Sequence, residues 1–228
     1  VTKYHRRLPK IQKIREEVDV QHADGPNRFS ETMGDDLGEV MAVLDNKLVE
    51  LQVVWLQYRQ LFGTNEDTVH LLNRTAGLFF QIIQDQLWDG VLLGIARMTD
   101  PARSGSNKNL TIHSLSPLIA DTVFRSEVDA LCSDAMAECE FAREHRNKRI
   151  AHRDHRHAVD QQAHPLSGIS RAKVERMLDS LRKALNALHH HYRDTTVLYE
   201  DFVDHSGAQL LVHRLEKLER LQKPNPTS

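Results

Sequence analysis

VDALCSDAMAECEFAREHRNKRIAHRD, residues 128–154, is the stretch from which the rest of the chain is read. Advancing about 100° per residue from Cys132 puts Val128, Cys132, Ala135, Met136, Cys139, Ala142 and Ile150 on one face, the stripe of an amphipathic helix. Arg143 and Arg146 fall on the same face. A buried guanidinium is costly unless it is paired or hydrogen-bonded, so each needs a partner on another element or a face that reaches solvent. The spacing predicts one long helix from about Thr122 to Ile150, which carries a cationic phrase at its carboxyl end.

The same period recurs outward in both directions. Leu37, Val40, Met41, Leu44, Leu48, Leu51, Val54, Trp55, Tyr58 and Leu61 predict a helix ending at Gly63, a candidate left-handed C′ glycine. A second helix is expected to start at Thr64, with Asp67 placed for a capping box. It carries Leu71, Leu72, Leu78, Phe79, Ile82, Ile83, Leu87, Trp88, Leu92, Leu93 and Ile95, apolar over more than one stripe, which predicts a central helix packed on several sides. Thr99-Asp100-Pro101 ends it, and Ser114 or Ser116 caps a short helix with Pro117 in its first turn. Ser170 to about Tyr192 reads as a further helix burying Val174, Met177, Leu178, Leu181, Leu185 and Leu188. Tyr199 and Phe202 are candidate anchors, and Ser206 caps a last helix carrying Leu210, Leu211, Leu215, Leu218 and Leu221. The expectation is an all-α, up-and-down bundle of about four to six helices. Residues 1–30 read as an N-terminal arm, 31–205 as the bundle, and 206–228 as a C-terminal helix with a frayed tail.

Composition narrows the function classes. An apolar content of 40% with 27% charged residues describes a globular protein, and no run approaches a membrane span. No apolar segment follows the basic amino-terminal residues, so no secretory signal is expected. Cys132 and Cys139 lie seven apart on the packing stripe, too far for a disulfide on one helix, and read as reduced core thiols of a cytoplasmic protein. A net charge of −2 argues against nucleic-acid binding over the whole surface. Locally the balance differs. Residues 143–157 hold Arg143, Arg146, Lys148, Arg149, Arg153 and Arg156 against Glu144 and Asp154, a net of +4 before histidines. Such a patch suits a phosphate backbone, and it equally suits the negative end of a helix dipole.

The chain has 14 histidines, so a metal site has to be weighed. His189-His190-His191 cannot converge on one ion from one helix, and no H-E-x-x-H or helical E-x-x-H pair occurs. A loop site from His155, His157 and Asp154 is conceivable, but solvated histidines are the simpler reading, and no metal or other cofactor is assigned. Phosphate-cradling glycine motifs are absent.

Arg146-Asn147, four residues, then His152 resembles the R-x(4–6)-H signature of the HEPN superfamily, in which a polar residue often follows the arginine. The wider phrase R-N-K-R-I-A-H-R-D is similar to the abortive-infection U-type (AbiU2-like) HEPN family. That resemblance implies a metal-independent endoribonuclease in anti-phage or toxin–antitoxin defence, with RNA as substrate and an antitoxin as partner. It implies His152 as general acid/base, Arg146 as stabiliser of phosphoryl charge, and Asn147 as a group that orients one of them or binds phosphate. Arg143, Lys148, Arg149 and Arg153 would line the nucleic-acid surface. On a straight helix Arg146 and His152 point about 120° apart, so they cannot meet on one substrate. The resemblance answers this with a homodimer in which the motifs of two protomers face each other. The alternative is a non-catalytic helical dimer binding RNA, a nucleotide or a protein partner.

Overall fold

The computed structural model describes residues 27–104, 107–147, 170–201 and 206–222. Helix α1 (Asn27–Met33) turns into α2 (Asp35–Phe62) at Gly34, whose φ of 80° lies where only glycine is at ease. The turn folds Phe29, at the end of the stretch read as an arm, and Met33, just beyond it, onto α2. Leu37, Met41, Leu44, Leu48, Leu51, Trp55, Tyr58 and Leu61 line the buried side of α2 at three- and four-residue steps. Each such side chain contributes roughly 1.5–3 kcal/mol on burial. Gly63 does close α2, but with φ −113° it is not the left-handed cap expected; its amide simply extends the ladder to the Arg59 carbonyl.

Helix α3 (Glu66–Met98) begins one residue later than the Thr64 start would place its cap. Asn65, not Thr64, caps it, accepting from the Thr68 amide at 2.8 Å. Asparagine is preferred to threonine at this capping position. The helix is kinked at Ala76 (φ −161°, ψ 65°), where the Thr75 hydroxyl donates back to the Leu71 carbonyl at 2.7 Å. Just past the kink, Leu78, Phe79 and Ile82 are exposed, so this part of α3 is not the enclosed central helix expected. From Val91 to Met98 the helix returns to the core.

A two-residue antiparallel ladder, β1 (Arg103–Ser104) with β2 (Asn107–Lys108), follows, then tight 3₁₀ turns at Ile112–Ser114 and Ser116–Leu118. Among the described residues the regular structure is otherwise helical. Asp121 caps α4 (Thr122–Glu138) by accepting from the Val123 and Phe124 amides at 2.8 and 3.1 Å.

The single helix expected from Thr122 to Ile150 is broken at Cys139 (φ −89°, ψ 4°), and α5 (Glu140–His145) continues in a new direction. The physical reason is a change of partner. Helix α4 packs along α6 (Arg171–Arg193), with Cys139 Sγ against the Met177 carbonyl, whereas α5 packs on α3.

Helix α6 is capped by Ser170 and buries all six residues its periodicity predicts. Tyr199 is buried after it, while Phe202 lies outside the described residues. In α7 (Ala208–Gln222) the first amides donate to Gln57 and Gln60 of α2. Among the described residues no helix is long and apolar enough to cross a membrane.

Both cysteines are free and buried, and burial pushes the Cys132 thiol up to about 12 and Cys139 to about 11. At pH 8 the thiolate fraction is then about one part in a thousand or less. A thiol reagent at pH 8 is therefore expected to leave both cysteines unlabelled in the native chain and to label both in urea. Native labelling at the speed of a free thiol would contradict the buried stripe.

Candidate functional site

Helix α5 delivers the cationic phrase, and what it packs against decides where each side chain goes. Phe141, Ala142 and His145 face inward. His145 Nε2 sits 3.2 Å from Asp89 Oδ1, which fixes α5 to the last third of α3. Arg143 reaches back along the stripe: Nη2 donates to the Met136 carbonyl at 2.7 Å and Nη1 to Thr99 Oγ1 at 3.2 Å. It therefore ties the last turn of α4 to the end of α3, and cations are favoured at both helix carboxyl ends. That is why a packing position holds arginine rather than leucine.

Arg146 closes α5. Its Nη1 pairs with Asp100 Oδ2, and its Nε donates to Asn147 Oδ1 at 3.1 Å. The two charged side chains are 22% and 18% exposed, so the pair is neither solvated nor sealed. Arg146 thus meets the carboxylate its place on the stripe requires. The other carboxylate oxygen, Asp100 Oδ1, is buried with no hydrogen-bond partner among the described residues. At Arg146 and Asn147 the backbone opens into a wider, π-type turn. The advance of about 100° per residue that separates Arg146 from His152 on a straight helix does not hold through such a turn.

Of the residues singled out by sequence, the structure brings Arg146 and Asn147 together and places Arg143 one turn earlier. His152, Lys148, Arg149 and Arg153 lie outside the described residues, as do His155, His157 and Asp154. Among the described residues no group of three or more His, Cys, Asp or Glu is placed to hold a metal ion.

Sequence reasoning passed over Asp89, His145 and Asp100. A signal existed for Asp100: a carboxylate just beyond a helix carboxyl end opposes the helix dipole, so it needs a compensating cation. Its role as a helix stop concealed that.

No curated protein and no solved structure matches the chain. The family model described as AbiU2 (HEPN AbiU2) matches residues 34–210, which run from the turn before α2 into the first residues of α7 and include Arg146 and His152. The match spans more than three quarters of the 228 residues and joins the helical body to the phrase that ends α5, so the chain belongs to the AbiU2 family of abortive-infection HEPN proteins.

Proposed function

We propose that the chain is a metal-independent endoribonuclease of the HEPN type, acting in the cytoplasm in anti-phage or toxin–antitoxin defence. The observation that carries this reading is the posture of Arg146. Asp100 and Asn147 hold its guanidinium at the end of α5, partly exposed, and leave other N–H groups for a phosphoryl oxygen. His152 takes the proton of the RNA 2′-hydroxyl, and the 2′-oxygen attacks the adjacent phosphorus. The bond to the 5′-oxygen then breaks, and that oxygen leaves with the proton that His152 had taken up. The products are a 2′,3′-cyclic phosphate and a 5′-hydroxyl. Arg146 stabilises the charge that builds on the phosphoryl oxygens, and Asn147 orients it. Arg143, Lys148, Arg149 and Arg153 add positive charge along the strand's path. The active unit is a homodimer, and an antitoxin is the partner that restrains it.

The test is cleavage of RNA in EDTA. Wild type is expected to cut, and a substrate with a 2′-deoxy sugar at the cut position to resist. Activity that stops in EDTA, or that cuts the 2′-deoxy substrate equally, overturns the proposal.

The ion pair itself favours a second reading. An arginine already neutralised by Asp100 stabilises new negative charge less well, as suits a non-catalytic dimer that binds RNA, a nucleotide or a protein partner. RNA binding without cleavage selects that reading.

A further inference from the structure

Beside the Asp100 anchor a cleft of about 500 Å³ opens between α2, the last third of α3 and β2. Three cations stand around it, Lys47 of α2, Arg97 of α3 and Lys108 of β2. All three are exposed, and none has an ion-pair partner among the described residues. The carboxylates present are Glu50 and Asp100, and Leu51, Val54 and Leu110 form an apolar wall.

Two glycines of α3, Gly90 and Gly94, lie one turn apart on the cleft side. A glycine inside a helix costs roughly 1 kcal/mol relative to alanine, so each calls for a reason. Packing supplies one for Gly94, where a Cβ would come within 2.2 Å of Leu51 Cδ2. It supplies none for Gly90, where a Cβ would meet nothing within 4 Å. What a side chain at Gly90 would occupy is the cleft.

Asp100 makes the second, independent observation. It lines the cleft, and its Oδ1 is buried without a donor among the described residues, although a buried acceptor left unpaired costs about 1–3 kcal/mol. The cleft therefore offers a ring of unpaired cations, an apolar wall, a step kept at backbone height, and an acceptor lacking its donor. An inorganic anion would use only the first of these. A hydrocarbon would use only the second. A volume near 500 Å³ falls in the range of small-molecule sites.

We propose that this cleft is a binding site for one nucleotide unit. The phosphate meets Lys47, Arg97 and Lys108, the base lies on Leu51, Val54 and Leu110, and a base or ribose donor satisfies Asp100. The site is separate from the Arg146 motif and does not depend on RNA being cleaved there, yet the two share Asp100. The unit comes either from a free mononucleotide or from an RNA strand that continues toward Arg146.

Two variants of the full chain test this. Gly90→Leu adds a side chain on the cleft side from a position where a Cβ meets nothing within 4 Å, and it removes a helix-breaking residue, so thermal unfolding at or above the wild-type temperature verifies the fold. The pair Arg97→Ala with Lys108→Ala removes phosphate contacts from exposed positions. Titration calorimetry with the four nucleoside monophosphates and inorganic phosphate, and anisotropy with a short RNA, are the readouts. Each variant is expected to weaken binding about tenfold or more, the equivalent of one charge-assisted contact. Loss of mononucleotide binding in both variants identifies a free nucleotide as the ligand. Loss of RNA binding, with no mononucleotide binding in wild type, identifies a strand. Inorganic phosphate binding as tightly as any nucleotide overturns the proposal, and so does any ligand bound equally by wild type and both variants, or no binding at all. EDTA-resistant cleavage with an unchanged KM in Gly90→Leu would remove the cleft while leaving the nuclease reading intact. Nucleotide binding lost in both variants of a chain that cleaves no RNA would do the reverse.

Discussion

Mixing Arg146→Ala chains with His152→Ala chains is expected to restore part of an RNA cleavage activity that neither homodimer shows alone. The first variant loses the group that stabilises phosphoryl charge, a loss of about 10²–10³ in rate by analogy with removal of one oxyanion donor. The second loses its proton-transfer group, worth about 10²–10⁴. If the two groups come from different chains, a mixed dimer keeps one intact arginine facing one intact histidine. A two-fold axis beside the motif places each residue against its counterparts in this way. The alternative geometry is a single chain in which the backbone bends enough to bring His152 round to Arg146. The break at Cys139 occurs before Arg146 and so moves both residues together, which does nothing to close the angle between them. The wider turn at Arg146 and Asn147 departs from straight-helix spacing, and it makes the single-chain route a real competitor. The mixing experiment separates the two. Co-refolded variants that stay inactive, or a monomer at micromolar concentration that still cuts RNA, would establish the bend and eliminate the shared site.

What could be read from sequence depended on how many partners each helix has. Helix α6 presents one stripe, from Val174 to Leu188, to one side of the core and is capped by Ser170, so periodicity and cap chemistry agreed with the structure. The stripe from Val128 to Ala142 is just as regular, and it still conceals a break. Good helix formers lie on both sides of Cys139, and the helix breaks there where its packing partner changes from α6 to α3. That is tertiary information, and no local signal carries it. In α3, apolar residues all round the helix suggested enclosure on every side, but Leu78, Phe79 and Ile82 follow a kink and stay exposed. At the site, the place of Arg146 on a packing stripe called for a carboxylate. Which carboxylate was not legible, since Asp100 lies 46 positions earlier.

Asp45→Ala is expected to be among the most destabilising single polar substitutions in the helical body, costing about 2–4 kcal/mol in urea unfolding. Asp45 Oδ1 on α2 accepts from the Tyr199 hydroxyl and sits 2.9 Å from His189 Nε2 on α6. Both partners are 1% exposed, so neither can turn to water when the carboxylate goes. Burial, with Asp45 beside it, holds the Tyr199 hydroxyl well above its usual range, which keeps it a donor at any working pH. The cluster joins α2, α6 and the segment after α6, which α6 also holds through two hydrogen bonds between Asn186 and the Val197 backbone and the Arg182–Glu200 ion pair. The loss is bounded from above because His189 Nε2 and the Tyr199 hydroxyl lie 3.0 Å apart and retain one bond to each other. Asp45→Asn keeps an acceptor oxygen and should cost less than Asp45→Ala. Tyr199→Phe should cost about 1–2 kcal/mol, the loss of one donor. The double variant should then fall short of the sum by about 0.5 kcal/mol or more, because Asp45 and Tyr199 share one bond. Strict additivity, or an Asp45→Ala protein within about 0.5 kcal/mol of wild type, would mean that the Asn186 and Arg182 contacts and apolar packing hold the segment after α6 in place without Asp45.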